Sequence, residues 1–535
     1  MNINKGFDFQ IFKFSNWLIS SRNLYLFGLA LILVAMPLSK FLMSVGQFLL
    51  AASFLMDGKI KTRTQWLLIN TPALILCGVF IMHFFGLIHT ADYPAAWTDL
   101  RIKFPLFVLP ILIASAEPLE KKQFENLLLL FVASVFTGTL ISTAVLTGII
   151  DRPVTDIRDI FIFHISHIRF ALFTCLAIFI IIHMLWKYGE YGFVKKTLLV
   201  LLTTWLLIFL AIMESVTGIV ILIVIAIVLL FYFATRKGNP WLRIIALAVA
   251  LVIPCMAYYV VSDTVKELYA NDPVDLKTLD KTTHYNHPYT NLVEDNQLEN
   301  GNRIWIYVCE PELKEGWTKR SSFSYDGLDR RGQGVKYTLI RYMTSKGLRK
   351  DADGLSALTD DDINAIEHGI ANVNYEGFIN IKGRIHQIIW EYNDYKGGGN
   401  PSGHSVIQRL NFWQAGWNIF KDHFWTGVGT GDLENSYQHE YDKLHSPLEE
   451  KYRLHAHNQY LAIGAALGIF GLMYFLLSLV YPMIKRKKVF NFLYITFWLT
   501  AVISMLAEDT LETQAGVTFF AFFNSFYLFA YDPEK

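Results

Sequence analysis

Between positions 409 and 472 the chain carries residue types at spacings suited to acid–base and phosphate chemistry. Arg409 comes first, then a glycine-rich turn, GVGTGD, at 427–432, then RLHAHN at 453–458, directly ahead of a long apolar run. His457 stands at the mouth of that run, which fixes its height near a bilayer surface, where a lipid-linked substrate can meet it. A neutral imidazole there can take a proton from an attacking hydroxyl near neutral pH, with Asn458 orienting the ring or the substrate. The plainer reading of such a histidine is a polar interfacial residue. The guanidinium groups of Arg409 and Arg453 have the fork geometry that grips phosphate bidentately.

Other residues bear on the same chemistry. Gly429 and Gly431 let the 427–432 segment turn backbone N–H groups toward phosphate, or make it a tight connector between helices. The Walker lysine and serine are absent and no strand precedes the segment, which excludes a nucleotide P-loop. Arg101 and Arg169 fall at or near the outer ends of apolar stretches, and Arg169 sits within HISHIRFALF, where a charge is costly without a partner or a polar cavity. Each reads either as a contact for an anionic ligand, or as a cation snorkelling to headgroups or paired with Glu508, Asp509 or Glu512. A metal is not expected at His455 and His457, even with His439 or His445 added. Their i,i+2 spacing fits no standard helical zinc pattern, and no cysteine or close carboxylate completes a set.

The elements that must position these groups are membrane helices. The 535-residue chain is 53% hydrophobic with mean hydropathy +0.34, which places it among polytopic membrane proteins. Apolar runs fall near 24–39, 41–56, 66–88, 104–116, 125–149, 168–186, 197–213, 216–235, 241–261, 458–484, 490–507 and 515–531, and the first, second and fourth are short. About twelve transmembrane helices in an all-α fold are therefore expected. The first run leads straight into the second with no small-residue cleavage pattern, so no cleavable signal peptide is expected.

Lysines and arginines cluster at 59–63, 121–122, 187–196, 236–243 and 485–488, and the alternate loops are acidic or mixed. By the positive-inside rule both termini are cytoplasmic and the hydrophilic segment 262–456 lies outside, before the tenth span. The expected organisation is a nine-span bundle at 1–261, an outer loop at 262–456 and three spans at 457–535. A net charge of +1 gives no sign of a nucleic-acid partner. Of four cysteines only Cys309 lies in the outer segment, so no intrachain disulfide can form there.

Within the outer segment, residues 263–300 read as mostly irregular, and Asn302 to Glu315, with Ile304, Trp305, Ile306, Tyr307 and Val308, as a strand or a packed helical turn. VKYTLIRYM reads as helical or extended. Thr359 followed by three aspartates and Ile363, Ile366 and Ile370 predicts a capped amphipathic helix. GGGNPSG at 397–403 predicts a joint, and Leu410, Trp413, Trp417 and Phe420 mark one face of an amphipathic helix at 409–422.

The order R-x-x-x-W, GVGTGD, then HAHNQYL leading into a helix with Gly468 and Gly471, together with the late EDTLETQAGVTFFAFF, resembles the O-antigen ligase family. That family includes O-antigen polymerases and protein O-oligosaccharyltransferases. The resemblance implies a GT-C-type membrane glycosyltransferase in the bacterial inner membrane, with its active site facing the periplasm. Its implied donor is a glycan on undecaprenyl pyrophosphate. The implied acceptor is a hydroxyl, that of lipid A–core in a ligase. By the same resemblance His457 is the base and Arg409 engages the pyrophosphate. Arg169, Arg101, Arg453, His455, Asn458, Trp413, Gly429 and Gly431 are the expected substrate contacts. No cofactor is implied, because arginines can stabilise the departing pyrophosphate without a metal. One departure stands out: where the family shows S-R-x-G, this chain has Ser215, Val216, Thr217 and Gly218. A non-enzymatic polysaccharide or lipid transporter is the competing class. It would show paired broken helices in related halves, and no such repeat is found.

Overall fold

The computed structural model describes residues 20–152, 160, 161, 165–187, 192–213, 215–236, 240–269, 274–375, 381–402 and 404–531. Most of the 151–159 loop, the start of the chain and Gly403 of the predicted joint lie outside them. Among the described residues almost all regular structure is helical; most of the predicted apolar runs carry one helix each, and the run predicted at 66–88 is divided between two helices at Asn70. In chain order they are α1 Ser21–Ala35, α2 Lys40–Met56, α3 Ile60–Ile69, α4 Thr71–Phe85, α5 Tyr93–Lys103, α6 Pro105–Ala114, α7 Lys121–Leu146, α8 His167–Lys187, α9 Phe193–Ile212, α10 Val216–Arg236 and α11 Pro240–Tyr269. The polar segment contributes α12 Glu310–Arg320, α13 Val335–Ser345, α14 Ala352–Ser356, α15 Asp360–Glu367, α16 Ile381–Lys396, α17 Ser405–Asp422 and α18 Leu433–Lys443. The chain ends with α19 Gln459–Lys485, α20 Phe492–Ser504 and α21 Gln514–Ser525.

Six of the described helices are long and apolar enough to cross a membrane, or seven if α2 and α3, bent by 111°, form one broken span. Three shorter apolar helices accompany them. This is the composition of an all-α polytopic membrane protein.

The chain divides into two compact units. The first comprises residues 1–152, 160–226 and 409–535; the second comprises 153–159 and 227–408. The expected outer loop is thus divided at Arg409. Its last part packs with the membrane helices of the first unit, and the α11 stretch packs with the second.

The second unit is built around Ile304, Leu313, Trp317, Leu339, Tyr342, Met343 and Ile366, all essentially inaccessible. Thr359 caps α15 as its composition predicts: its hydroxyl accepts from the Asp362 amide, and the Asp362 carboxylate accepts from the Thr359 amide in return. VKYTLIRYM is helical, in α13. The only strands among the described residues are the pair β1 Leu298–Glu299 and β2 Asn302–Arg303, and 304–308 forms turns with Ile304, Ile306 and Val308 buried. Helix α11 runs on to Tyr269, so the irregular stretch begins later than its polar composition suggests.

In the first unit α19 is broken at Gly468, whose φ of 66° is left-handed. The break frees carbonyls from the helical ladder, and the chain between α17 and α18 takes them up. Val428 donates to the Ala465 carbonyl at 3.0 Å and Gly429 to that of Ala466 at 2.9 Å, while the Ile469 amide donates to Phe424 at 2.7 Å. In a low-dielectric surround, unpaired backbone groups cost several kcal/mol each, so the glycine-rich segment and the broken helix require one another. A Cβ on Gly468 would stand 2.4 Å from the Trp425 backbone. Gly468→Ala is therefore expected to lose roughly 1–2 kcal/mol from the left-handed backbone alone, and more from the clash. A lowered unfolding temperature in detergent, against an unchanged one for Gly192→Ala, where nothing is near, checks this.

Candidate active site

His457 reaches its position through three local devices. Its own φ of 44° turns the chain sharply before α19. The next residue, Asn458, caps that helix, its side-chain oxygen accepting from Tyr460 and Leu461 at 3.1 Å each. Asn458 also donates to the Leu506 carbonyl at 3.0 Å, and the Gln459 amide donates to Met505 at 2.9 Å. These bonds tie the start of α19 to the connector between α20 and α21, which carries Glu508 and Asp509. Asn458 is thus spent on the backbone.

His457 Nδ1 is buried and lies 3.4 Å from the Asp509 carboxylate, while the ring packs at 5.6 Å from Phe412 of α17. Arg409, also on α17, places its guanidinium 3.4 Å from Glu508. The helix starts at Ser405, four residues before the predicted boundary, so Arg409 lies inside its first turns. Arg169 of α8 donates to Ser166 at 3.1 Å and leaves its Nε buried without a partner. It acts electrostatically on both Glu508 and Asp509. Burial lifts Glu508 above the usual carboxylate range, against the pull of His457, Arg169 and Arg409. Burial opposes the charge of Asp509 too, but its contact with His457, aided by His455 and Arg169, holds it below that range.

The connector is held from below by a buried charge network. Lys103, 1% exposed at the end of α5, contacts Asp99 and lies 2.7 Å from Glu512. Burial works against the ammonium, but Asp99 and Glu512 together keep its pKa above the ordinary lysine value. Gln459, fully buried, donates to Glu512 at 3.3 Å and accepts from the Leu511 amide at 2.6 Å. Glu508 and Asp509 therefore stand on a segment fixed at both ends.

The other expected contacts are distributed differently. His455 pairs with Glu434 of α18 and lies 5.5 Å from the Tyr437 ring. Burial lowers its affinity for a proton, but Glu434 more than offsets this and its pKa is raised. Arg453 is engaged locally, with Asp442 at 2.6 Å and the Leu448 carbonyl at 3.1 Å. Arg101 is exposed on α5 and forms no ion pair with the described residues. Trp413 is partly exposed on α17. The Gly429 and Gly431 amides donate to Ala466 and to Thr90, so in this conformation they support the fold. Asp432 completes that docking by accepting from Ala91 and Asp92 at the start of α5.

Sequence reasoning placed Glu508, Asp509 and Glu512 only as partners for arginines. It missed Asp509 behind His457, Glu434 behind His455 and the buried Lys103. The acidic EDTLE run was the available signal, since clustered carboxylates beside an apolar helix require cations. His457, Glu508 and Asp509 also offer three potential metal-ligand atoms within 4.8 Å of one another. Among the described residues His439 and His445 join no such group.

The fold and site define a polytopic helical membrane protein with a carboxylate-backed histidine beside two guanidinium groups. Residues 368–476 match the family model Wzy_C, described as O-Antigen ligase, and the match supports the O-antigen ligase family. The matched stretch includes Arg409, 427–432 and His457, and excludes Arg169, Glu508 and Asp509. No curated protein matches the chain.

Lys103→Met would leave two carboxylates buried without their cation, at a cost of about 3–5 kcal/mol. Thermal unfolding in detergent should show this, with Lys103→Arg less affected. The His455–Glu434 pair predicts a pH signature. Because the His455 pKa is raised, its stabilising share is complete below about pH 6.5 and fades as pH rises through the higher folded value. Because that of Glu434 is lowered, its share is lost only on acidification. The stability gap between wild type and His455→Gln, at most about 1 kcal/mol, should thus be present at pH 6 and shrink toward pH 9.

Proposed function

We propose that the protein is a membrane glycosyltransferase of the O-antigen ligase type, with about twelve spans and an active site on the periplasmic face of the bacterial inner membrane. It transfers a glycan from undecaprenyl pyrophosphate to a hydroxyl of lipid A–core. The observation that carries this reading is the grouping of His457, Asp509, Arg409 and Arg169 around one buried connector.

In the proposed reaction Asp509, 3.4 Å from His457 Nδ1, draws in to accept its N–H and so fixes the tautomer, which leaves Nε2 as the basic nitrogen. Nε2 takes the proton of the acceptor hydroxyl as its oxygen attacks the anomeric carbon. The bond from that carbon to the pyrophosphate oxygen breaks, and the electron pair leaves with the lipid pyrophosphate. Arg409 and Arg169 stabilise the developing charge, so no divalent metal is required. Arg169 supplies the second cation where this chain has Val216 in place of the family arginine. The donor phosphates compete with Glu508 for Arg409.

Glycan profiling of a deletion strain tests the reading. Wild type should restore glycan attachment to lipid A–core, His457→Ala should fall by about 10²–10⁴-fold, and Asp509→Asn should lose part of that. Arg409→Lys should retain less activity than wild type because a point charge cannot grip bidentately. Intact lipopolysaccharide with lost glycoprotein sugars would move the acceptor to protein, and lost chain extension would make the enzyme a polymerase. Full activity in His457→Ala would end the mechanism.

A further inference from the structure

A second cluster of reactive side chains lies in the second unit. His287, Cys309 and Glu312 each offer one ligand atom, and the three atoms lie within 4.8 Å of one another. The backbone sets them rigidly. Cys309 is the residue before α12 and Glu312 lies in its first turn, so a three-residue spacing puts the thiol and carboxylate on one side of the helix start. His287 rides on a tight turn: Thr283 donates to the His287 carbonyl at 2.8 Å, and Asn286 at its corner has a φ of 60°. Cys309 is 1% exposed, the Glu312 side chain 5% and that of His287 53%.

We infer that His287, Cys309 and Glu312 form a binding site for a divalent zinc ion that clips the 283–288 turn to the start of α12. One thiolate, one imidazole and one carboxylate are a borderline-soft donor set that suits Zn²⁺ and does not suit Mg²⁺ or Ca²⁺. Charge favours the same ion, because a thiolate and a carboxylate together neutralise its two positive charges within a largely buried pocket. Binding releases the thiol proton and any proton shared between His287 and Glu312.

Geometry requires one small adjustment. Tetrahedral zinc separates its ligand atoms by roughly 3.3–3.8 Å, whereas His287 Nδ1 and Glu312 Oε1 stand 2.8 Å apart. The half-exposed imidazole can move outward, and the same open side admits water as fourth ligand. Glu312 is already oriented by Thr283 and by the Ala352 amide at 2.9 Å, the outer support that metal carboxylates usually have. Cys309 and Glu312 are close in the chain, but His287 lies 22 residues before Cys309 on a separate turn, and only folding brings it to them.

The test uses the full-length protein in detergent, stripped with EDTA and then titrated with Zn²⁺ or Co²⁺ alone. The expected result is one bound equivalent at this site, with a sulfur-to-cobalt charge-transfer band. Cys309→Ser should abolish the band and His287→Ala should lose tight binding. Thr283→Val should weaken affinity by about 10–100-fold. Zinc should raise the unfolding temperature of wild type and leave that of Cys309→Ser unchanged, which separates ligation from misfolding. Absence of binding to wild type, binding unchanged in Cys309→Ser, or zinc lost only in His457→Ala would each overturn the site. None of these readouts depends on glycan transfer.

Discussion

An ammonium group withdrawn from water costs several kcal/mol unless anions surround it, and Lys103 is almost wholly withdrawn. Its position at the C-terminal end of α5 is itself favourable to a cation, but Asp99 and Glu512 do most of the compensation. That requirement fixes Glu512, and Gln459 then joins Glu512 to Leu511 and to the start of α19. The position of Asp509 behind His457 follows from this chain of bonds. A surface connector between two apolar helices would otherwise have little reason to adopt one conformation.

The same economy of unpaired groups shapes the glycine-rich segment. A helix broken at Gly468 exposes carbonyls where water is scarce, and the amides of Val428 and Gly429 meet them. The segment also grips the link from α4 to α5: Thr430 donates to Gly86 and Gly431 to Thr90, while Asp432 accepts from Ala91 and from Asp92, the residue before α5. It thereby couples α19, which carries His457 at its start, to α5, which carries Lys103 at its end. Backbone pairing and charge pairing thus converge on the same two helices.

Charge at the candidate site is close to self-compensating. Two buried carboxylates stand beside Arg409 and His457, and Arg169 acts on both, so charges of both signs meet there. On the proposed mechanism, an entering pyrophosphate substitutes one set of oxygens for another around Arg409 and Arg169. That substitution costs little solvent reorganisation, which is what a preorganised electrostatic site provides.

Local information in the chain determined a good deal. Apolar runs long enough to form helices, the Thr359 cap of α15, the helical stretch around Trp413 and the place of His457 just ahead of α19 are properties of neighbouring residues, and periodicity and residue type carry them. Pairings between distant segments are not local properties. Asp509 lies 52 positions from His457 and Lys103 lies 409 from Glu512, and no spacing rule links them. The same is true of Glu434 with His455 and of His287 with Cys309. Helix lengths and caps follow from short-range hydrogen bonding, whereas partners for buried charges are chosen by packing, and only the tertiary structure decides which carboxylate a given cation meets.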